Sequence, residues 1–321
     1  MPFPWLKTVQ GAAAVSVASR RGILDALARG EAVELPALLH DLLAGAGVLR
    51  RTVAPPELTP SFAAAWARDA SAITACADFL LGAASDVAGN LECMIYDIPS
   101  FMRGSRTFQL FRYDKALGTS DTHLAATRPW VSYLEALAHQ EAPRLVPQIP
   151  LARGERLLEV GGNTGVMAAA LLSTYEGGTA TVMDLPAVCA LGQVAPWATG
   201  ITFAAGDARK ADAFDSFAGA TDVVLFKSVL HDWPEKDVCD ILGRAIDILP
   251  QNGRIVVCER GAFGPEEAAS QDAQTLANLV FSPFYRPPDL YADIMSDAGL
   301  LVRQSSVRLD MMFYTTTGIR I

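Results

Sequence analysis

The chain is short of charge, of paired cysteines and of basic clusters, and each shortage excludes something. Of 321 residues only 19% are charged, against 51% hydrophobic, where about a quarter is usual in soluble domains. Such a chain is not a disordered tail, and its apolar excess points to a large buried subunit interface. The cysteines, Cys76, Cys93, Cys189, Cys239 and Cys258, are scattered, odd in number and form no Cys-x-x-Cys pair. That argues against a zinc cluster and for a reducing compartment, so no metal is expected. The formal net charge is −9 and no Lys/Arg run exists, which removes the electrostatic footprint of a nucleic-acid partner. No apolar run of about 18 or more residues is free of charges and breakers, so no membrane span or membrane partner is expected. The stretch from Lys7 to Ala18 superficially resembles a secretory leader, but Arg20 and Arg21 follow and helical periodicity continues through Ile23, Leu24 and Leu27. It is read as part of the fold, and the expected location is the cytoplasm.

What is present divides in two, as the length suits two domains. Residues 1–146 read as mostly helical, with apolar periodicity at 15–27, 35–49, 61–81, 83–95 and 129–145. Pro55-Pro56 and Pro60-Ser61 punctuate this part, and Ser61 is a candidate N-cap. The polar, aromatic-rich stretch 103–122 reads as a connection with short helical turns. From 147 the composition changes: short apolar strands at 156–160, 179–183, 201–204, 222–227 and 254–259 alternate with helices near 166–175, 186–194 and 236–249. That βαβ series is an α/β fold with a parallel sheet covered on both faces. A helix at 288–298 and strands at 301–308 and 311–317, joined by a very short turn, add an antiparallel end.

Ligands of such sheets bind at the carboxyl ends of the strands. Leu157 to Val160 runs into Gly161-Gly162-Asn163-Thr164-Gly165 and then into an apolar helix, a strand–turn–helix that cradles nucleotide-like ligands. Asn163 stands where a third glycine is usual, and Asn is the side-chain-bearing residue best suited to a left-handed backbone. Asp184 ends the second strand, where a carboxylate can accept from two vicinal ribose hydroxyls; it can also cap the helix opening at Pro186. Gly206-Asp207 follows the third strand and could take an exocyclic amine such as that of adenine, or form a simple turn. His231, one of four histidines, follows the fourth strand on the ligand side with Asp232 beside it.

In order, Glu159 to Gly165, Asp184-Leu185-Pro186, Gly206-Asp207, Lys227-Ser228-Val229-Leu230-His231-Asp232-Trp233 and Ile255-Val256-Val257-Cys258-Glu259 resemble successive blocks of the small-molecule O-methyltransferases. That S-adenosylmethionine-dependent family includes hydroxyindole, plant phenolic and bacterial polyketide enzymes. The resemblance covers about 150–321. It extends weakly to Gly22-Ile23-Leu24-Asp25-Ala26-Leu27 and Glu57-Leu58-Thr59-Pro60, which look like a shortened form of the family's winged-helix, dimer-forming region. It implies a class I methyltransferase Rossmann-like sheet with a terminal antiparallel hairpin, preceded by a helical dimerisation domain, in a homodimer. It also implies S-adenosylmethionine as cofactor, with S-adenosylhomocysteine as product, held by Glu159, Gly161, Gly162, Asn163, Gly165, Asp184, Leu185, Asp207, Ala208 and Lys227.

The implied reaction is methylation of a hydroxyl on an aromatic or polyketide-like small molecule, in secondary metabolism. A phenol of pKa near ~10 needs a base at neutral pH, and an imidazole of pKa near ~6.5 can be one. The resemblance assigns that role to His231, oriented by Glu259. A second carboxylate normally lies in the segment where this chain has Ser282-Pro283-Phe284-Tyr285-Arg286-Pro287. Tyr285 stands in its place, so either Asp232 or Asp272 compensates, or the acceptor is acidic enough to rely less on a base. Trp130, Tyr133, Trp233, Phe281, Phe284 and Tyr285 are candidate pocket walls, ordinary packing being the alternative for each. N- or C-methylation, or a non-methylating use of the same cofactor, are the alternatives within the fold. A nicotinamide dehydrogenase would share the glycine turn but not the Lys227–Trp233 block, and no hydride-transfer Tyr-x-x-x-Lys is recognisable. A non-catalytic binding protein would require the winged region to be vestigial.

Overall fold

A computed structural model describes residues 3–51, 54–270 and 272–321. It divides into two compact units: residues 1–111 with 265–283, and residues 112–264 with 284–321. The break expected at 146/147 therefore falls earlier, and the first unit is completed by a later segment. The helix Asp121–Leu145 goes with the sheet because Ala142 and Leu145 sit in the sheet's own core. The segment 265–283 leaves it because its helix Ala273–Phe281 packs along the long helix of the first unit.

The first unit is helical. Val9–Arg20 and Ile23–Ala28 replace the single helix expected at 15–27, since Gly22 turns the chain left-handed at φ 68°. The helices expected at 61–81 and 83–95 run together as Pro60–Tyr96, distorted at Asp69. Thr59, not Ser61, is its N-cap: the Thr59 hydroxyl accepts from the Phe62 N–H and Pro60 takes the first turn, where a missing N–H costs nothing. By length and composition this helix could cross a membrane, and it packs against Val9–Arg20 and Ala273–Phe281. The one bridge outside named strands, among the described residues, joins Leu49 to Leu58.

The second unit is built on a seven-stranded sheet of order β3-β2-β1-β4-β5-β7-β6. The strands are β1 Arg156–Val160, β2 Thr179–Asp184, β3 Ile201–Ala205, β4 Val223–Lys227, β5 Arg254–Arg260, β6 Leu301–Arg308 and β7 Met312–Ile319. β1 to β5 are parallel; β7 runs antiparallel between β5 and β6. Side chains alternate between faces along a strand. Leu158, Val160, Val224, Phe226, Ile255 and Val257 pack with the helices Glu235–Asp247 and Pro288–Asp297. Leu157, Val223, Leu225, Val256 and Cys258 pack with Val166–Thr174 and the end of Asp121–Leu145. Continued one step to the strand ends, this alternation puts Glu159, Lys227 and Arg260 on the second face and Glu259 on the first. The strand ends are therefore charged on both faces.

Candidate active site

β1 delivers Glu159, Val160 and the glycine turn to the carboxyl edge of the sheet. Gly161 has φ 67° and Gly165 φ 80°, conformations that L side chains rarely adopt. A Cβ on Gly161 would also lie 2.6 Å from Val229 Cγ2, and one on Gly162 would lie 2.7 Å from Glu159 Cδ. Asn163 takes the left-handed conformation anticipated for it, at φ 55°. Its N–H donates to Asp184 Oδ2 (2.8 Å) and its side-chain amide to the Val131 carbonyl (3.3 Å). The Asn163 side-chain carbonyl is buried and has no hydrogen-bond donor among the described residues. Asp184 Oδ1 accepts the Leu185 N–H at 2.7 Å. The carboxylate thus ties the tip of β2 to the glycine turn instead of capping the helix Pro186–Gly192, whose N-cap is Leu185.

These carboxylates are raised by burial. Glu159 accepts the Ala168 N–H at 3.0 Å, yet burial, reinforced by the charge of Asp184, pushes it up to about 8. Burial likewise lifts Asp184 to about 6, against the N–H groups of Leu185 and Asn163. A cradle with no room for a Cβ, an unfilled buried acceptor at Asn163 and a carboxylate with lone pairs beyond its two backbone donors fit a ligand that brings its own donors, such as ribose hydroxyls. The residues present therefore fit S-adenosylmethionine.

Three residues expected at the cofactor also meet partners within the protein. Asp207 is gripped by Arg209, Nε at 2.9 Å to one oxygen and Nη2 at 2.7 Å to the other. Those hydrogen bonds hold its carboxyl below the usual range, and the same guanidinium lies 4.2 Å over the Trp233 ring. Ala208 packs on the sheet core, and its carbonyl accepts from Arg244. Lys227 reaches the second face, where it pairs with Glu141. Glu141 also binds Arg260 at 2.5 Å, and Arg260 meets Asp310 at 3.4 Å. Neither Glu141 nor Asp310 was singled out from the sequence. The available signal was that Lys227 and Arg260, carried inward by strand alternation, need buried counter-charges.

His231 sits just after β4, in the 3-10 turn Leu230–Asp232. Ser228 enters the turn at φ 55°, a left-handed conformation that an L residue rarely adopts, and the turn is closed by Glu259 from β5. One Glu259 oxygen accepts the N–H groups of Val229 (2.9 Å) and Leu230 (2.8 Å), and the other lies 2.8 Å from His231 Nδ1. Arg286 adds donors to the Leu230 and Trp233 carbonyls. His231 Nε2 lies 3.5 Å from Asp232 Oδ1. Burial alone would lower the imidazole, but the charges of Glu259 and Asp232 and the Glu259 hydrogen bond outweigh it and hold His231 above its usual value. Glu259 is held down by His231 and the two backbone donors, against burial.

Of the candidate walls, Tyr285 stands edge-on to His231, ring centroids 5.5 Å apart. Trp130 and Trp233 are joined through Tyr113, at 5.5 and 5.8 Å. Tyr133 is buried on the same helix as Trp130. Phe281 lies in the other unit, stacked on Phe79, tilted to Phe108 and edge-to-face with Phe111. Asp272 is there too, capping the helix Ala273–Phe281 through the Gln274 N–H. Of the two carboxylates considered as substitutes at His231, Asp232 lies 3.5 Å from its Nε2.

A nucleotide-type cradle on β1 and β2 and an imidazole held at the end of β4, on a sheet ending in an antiparallel hairpin, define a class I methyltransferase. The model of the O-methyltransferase domain matches residues 109–300, and the chain belongs to that family of enzymes, which use S-adenosylmethionine. It is 28% identical over 235 residues to the 3-hydroxy-5-methyl-1-naphthoate 3-O-methyltransferase of Streptomyces sahachiroi, covering 70% of this chain and 67% of that one. It is 34% identical over 127 residues to acetylserotonin O-methyltransferase 3 of Oryza sativa subsp. japonica, covering 38% of this chain and 32% of the relative. Among solved structures, human N-acetylserotonin methyltransferase in complex with S-adenosylmethionine superposes with a TM-score of 0.68 at 16% identity, over 97% of this chain and 94% of that one.

Proposed function

We propose that the chain methylates a hydroxyl of an aromatic or polyketide-like small molecule in secondary metabolism, with His231 as the base. The observation that carries this reading is the His231–Glu259 contact. A carboxylate accepts only, so Nδ1 is the donor, and Nε2 is left as the atom that takes a proton. Bound S-adenosylmethionine supplies an electrophilic methyl group and a thioether leaving group that needs no protonation. The acceptor's O–H proton passes to His231 Nε2 as the oxygen forms its bond to carbon. Asp232 and Glu259 then face the imidazolium from its two sides.

The cofactor's place is supported by the turn Gly161 to Gly165, by Glu159 and by Asp184 with Leu185. Asp207 and Lys227 act with their partners Arg209 and Glu141 at its border. Trp130, Tyr133, Trp233 and Tyr285 supply apolar walls near the base. Holding the reacting groups in line in such surroundings contributes up to about 7–11 kcal/mol. The naphthoate relative's name supports an aromatic hydroxyl as acceptor. A homodimer is supported by the first unit's exposed apolar side chains Leu91, Ile95, Tyr96 and Met102. Its three leading helices and the Leu49–Leu58 bridge support a reduced winged helix, and the five free cysteines support a cytoplasmic location.

A mass-shift screen of hydroxylated aromatics with S-adenosylmethionine tests the reading. Methyl gain on the phenols and none on their deoxy analogues is expected. Methylation of aromatic amines or ring carbons instead would replace it.

A further inference from the structure

The sequence signals nothing at Tyr113, yet it closes a chain of polar contacts onto His231. It opens the 3-10 turn Tyr113–Ala116, just ahead of the helix Asp121–Leu145. Its ring packs edge-to-face on Trp130 and tilted on Trp233, and its hydroxyl lies 2.7 Å from Asp232 Oδ2. The direction of that bond is fixed, since a phenol has one proton to give and a carboxylate has none. With Oδ2 so held, the other oxygen of Asp232 faces His231 Nε2 at 3.5 Å. At the far side of the ring Glu259 holds Nδ1 at 2.8 Å. The Tyr285 ring stands T-shaped to the imidazole, centroids 5.5 Å apart.

We propose that Tyr113 is a positioning residue for the base: it fixes Asp232 as the second carboxylate of His231, in the place that Tyr285 leaves without a charge. This rests on the reading of His231 as the base. The groups facing the imidazole are Glu259 and Asp232, which favour its charged form, and Arg260, which opposes it. Asp232 in turn faces Tyr113, His231, Glu259 and Arg286, and Tyr113 faces Asp232 and, further off, Asp184. Burial favours the protonated acid of Asp232, and the Tyr113 hydroxyl acts against that. Without this donor Asp232 takes up a proton more readily, and His231 loses part of the charge that supports it.

Tyr113→Phe keeps the ring and its packing while removing the proton. Three readouts are compared with wild type: the pH profile of kcat, the imidazole resonances of His231 by NMR across pH, and S-adenosylhomocysteine affinity by calorimetry. The acidic limb and the NMR midpoint are both expected to move to lower pH by roughly 0.5–1. The plateau rate should fall about tenfold or more, as for the loss of a hydrogen bond to a charged group. Cofactor-product affinity should stay within about twofold. If Tyr113→Phe does not fold, Asp232→Asn takes its place, since it keeps an acceptor for Tyr113 but no charge, and the same displacement is expected. Unmoved limb and midpoint in the folded variant overturn the positioning role, leaving Tyr113 as packing. If instead His231→Ala keeps full turnover, it is the base reading that fails.

Discussion

Replacing Glu259 with glutamine tests the geometry around His231 atom by atom. Glu259 accepts three hydrogen bonds: the N–H groups of Val229 and Leu230 on one oxygen and His231 Nδ1 on the other. A glutamine can satisfy the turn in one orientation only. With its carbonyl toward Val229 and Leu230 both N–H groups keep their acceptor; flipped, the amide would set donors against donors, at about 1–3 kcal/mol for each buried N–H left unpaired. The surviving orientation points the side-chain NH2 at Nδ1, which must then accept. The imidazole proton moves to Nε2, and the atom that should take the acceptor's proton is already protonated. General-base catalysis typically contributes ~10²–10⁴ in rate, so kcat should fall by that factor, or about 3–5 kcal/mol in barrier at 1.36 kcal/mol per tenfold. The assay is steady-state methyl transfer beside calorimetry with S-adenosylhomocysteine. Affinity within about twofold is expected, because Glu259 lies on the sheet face away from Glu159. Turnover within about threefold of wild type at unchanged affinity would refute the tautomer argument.

Other outcomes follow from the cradle. Asp184→Ala removes the acceptor that ties Asn163 and Leu185 together; calorimetry should show S-adenosylhomocysteine binding weakened by about tenfold or more, the worth of a lost hydrogen bond to a charged group, and unchanged affinity would remove Asp184 from the site. Glu159→Gln should stabilise the protein increasingly as pH rises. Glu159 folds with its carboxyl raised to about 8, so its contribution is complete below the unfolded value near ~4.3 and is lost as pH climbs toward 8. In thermal melts the variant should gain on wild type between pH 5 and pH 9 by on the order of 1–3 kcal/mol, about 2–4 °C for each; a gain confined to low pH would contradict the burial argument.

The sheet was legible because each parallel strand is a short segment rich in apolar residues that leads into a charged or turn residue. The expected strands at 156–160 and 254–259 became Arg156–Val160 and Arg254–Arg260. The Asn163 substitution could be read as well, since few residues tolerate φ near 55°. In the first unit only the helical character was legible. Gly22 breaks one expected helix, whereas Gly82 and Gly89 lie inside the continuous Pro60–Tyr96, so glycine alone does not announce where a helix ends. A linear boundary could not represent a unit completed by residues 265–283, to which Phe281 belongs. Long-range polar pairs were out of reach for a similar reason. Tyr113 and Asp232 are 119 positions apart, as are Glu141 and Arg260, and periodicity carries no information about which buried charges meet. The pairing of Asp207 with Arg209 is local, two positions apart, yet helical or strand periodicity carries no sign of it.

The central claim, that His231 removes the acceptor's proton as the methyl group moves, is tested most directly by a series of acceptor hydroxyls of decreasing pKa. Single-turnover rates of wild type and His231→Ala would be compared along it. A weakly acidic phenol needs the base, so the variant should be slower by ~10²–10⁴; an acceptor already ionised at the assay pH does not, and there the two rates should converge. An equal loss at every acceptor acidity, or no loss at any, would contradict the assignment.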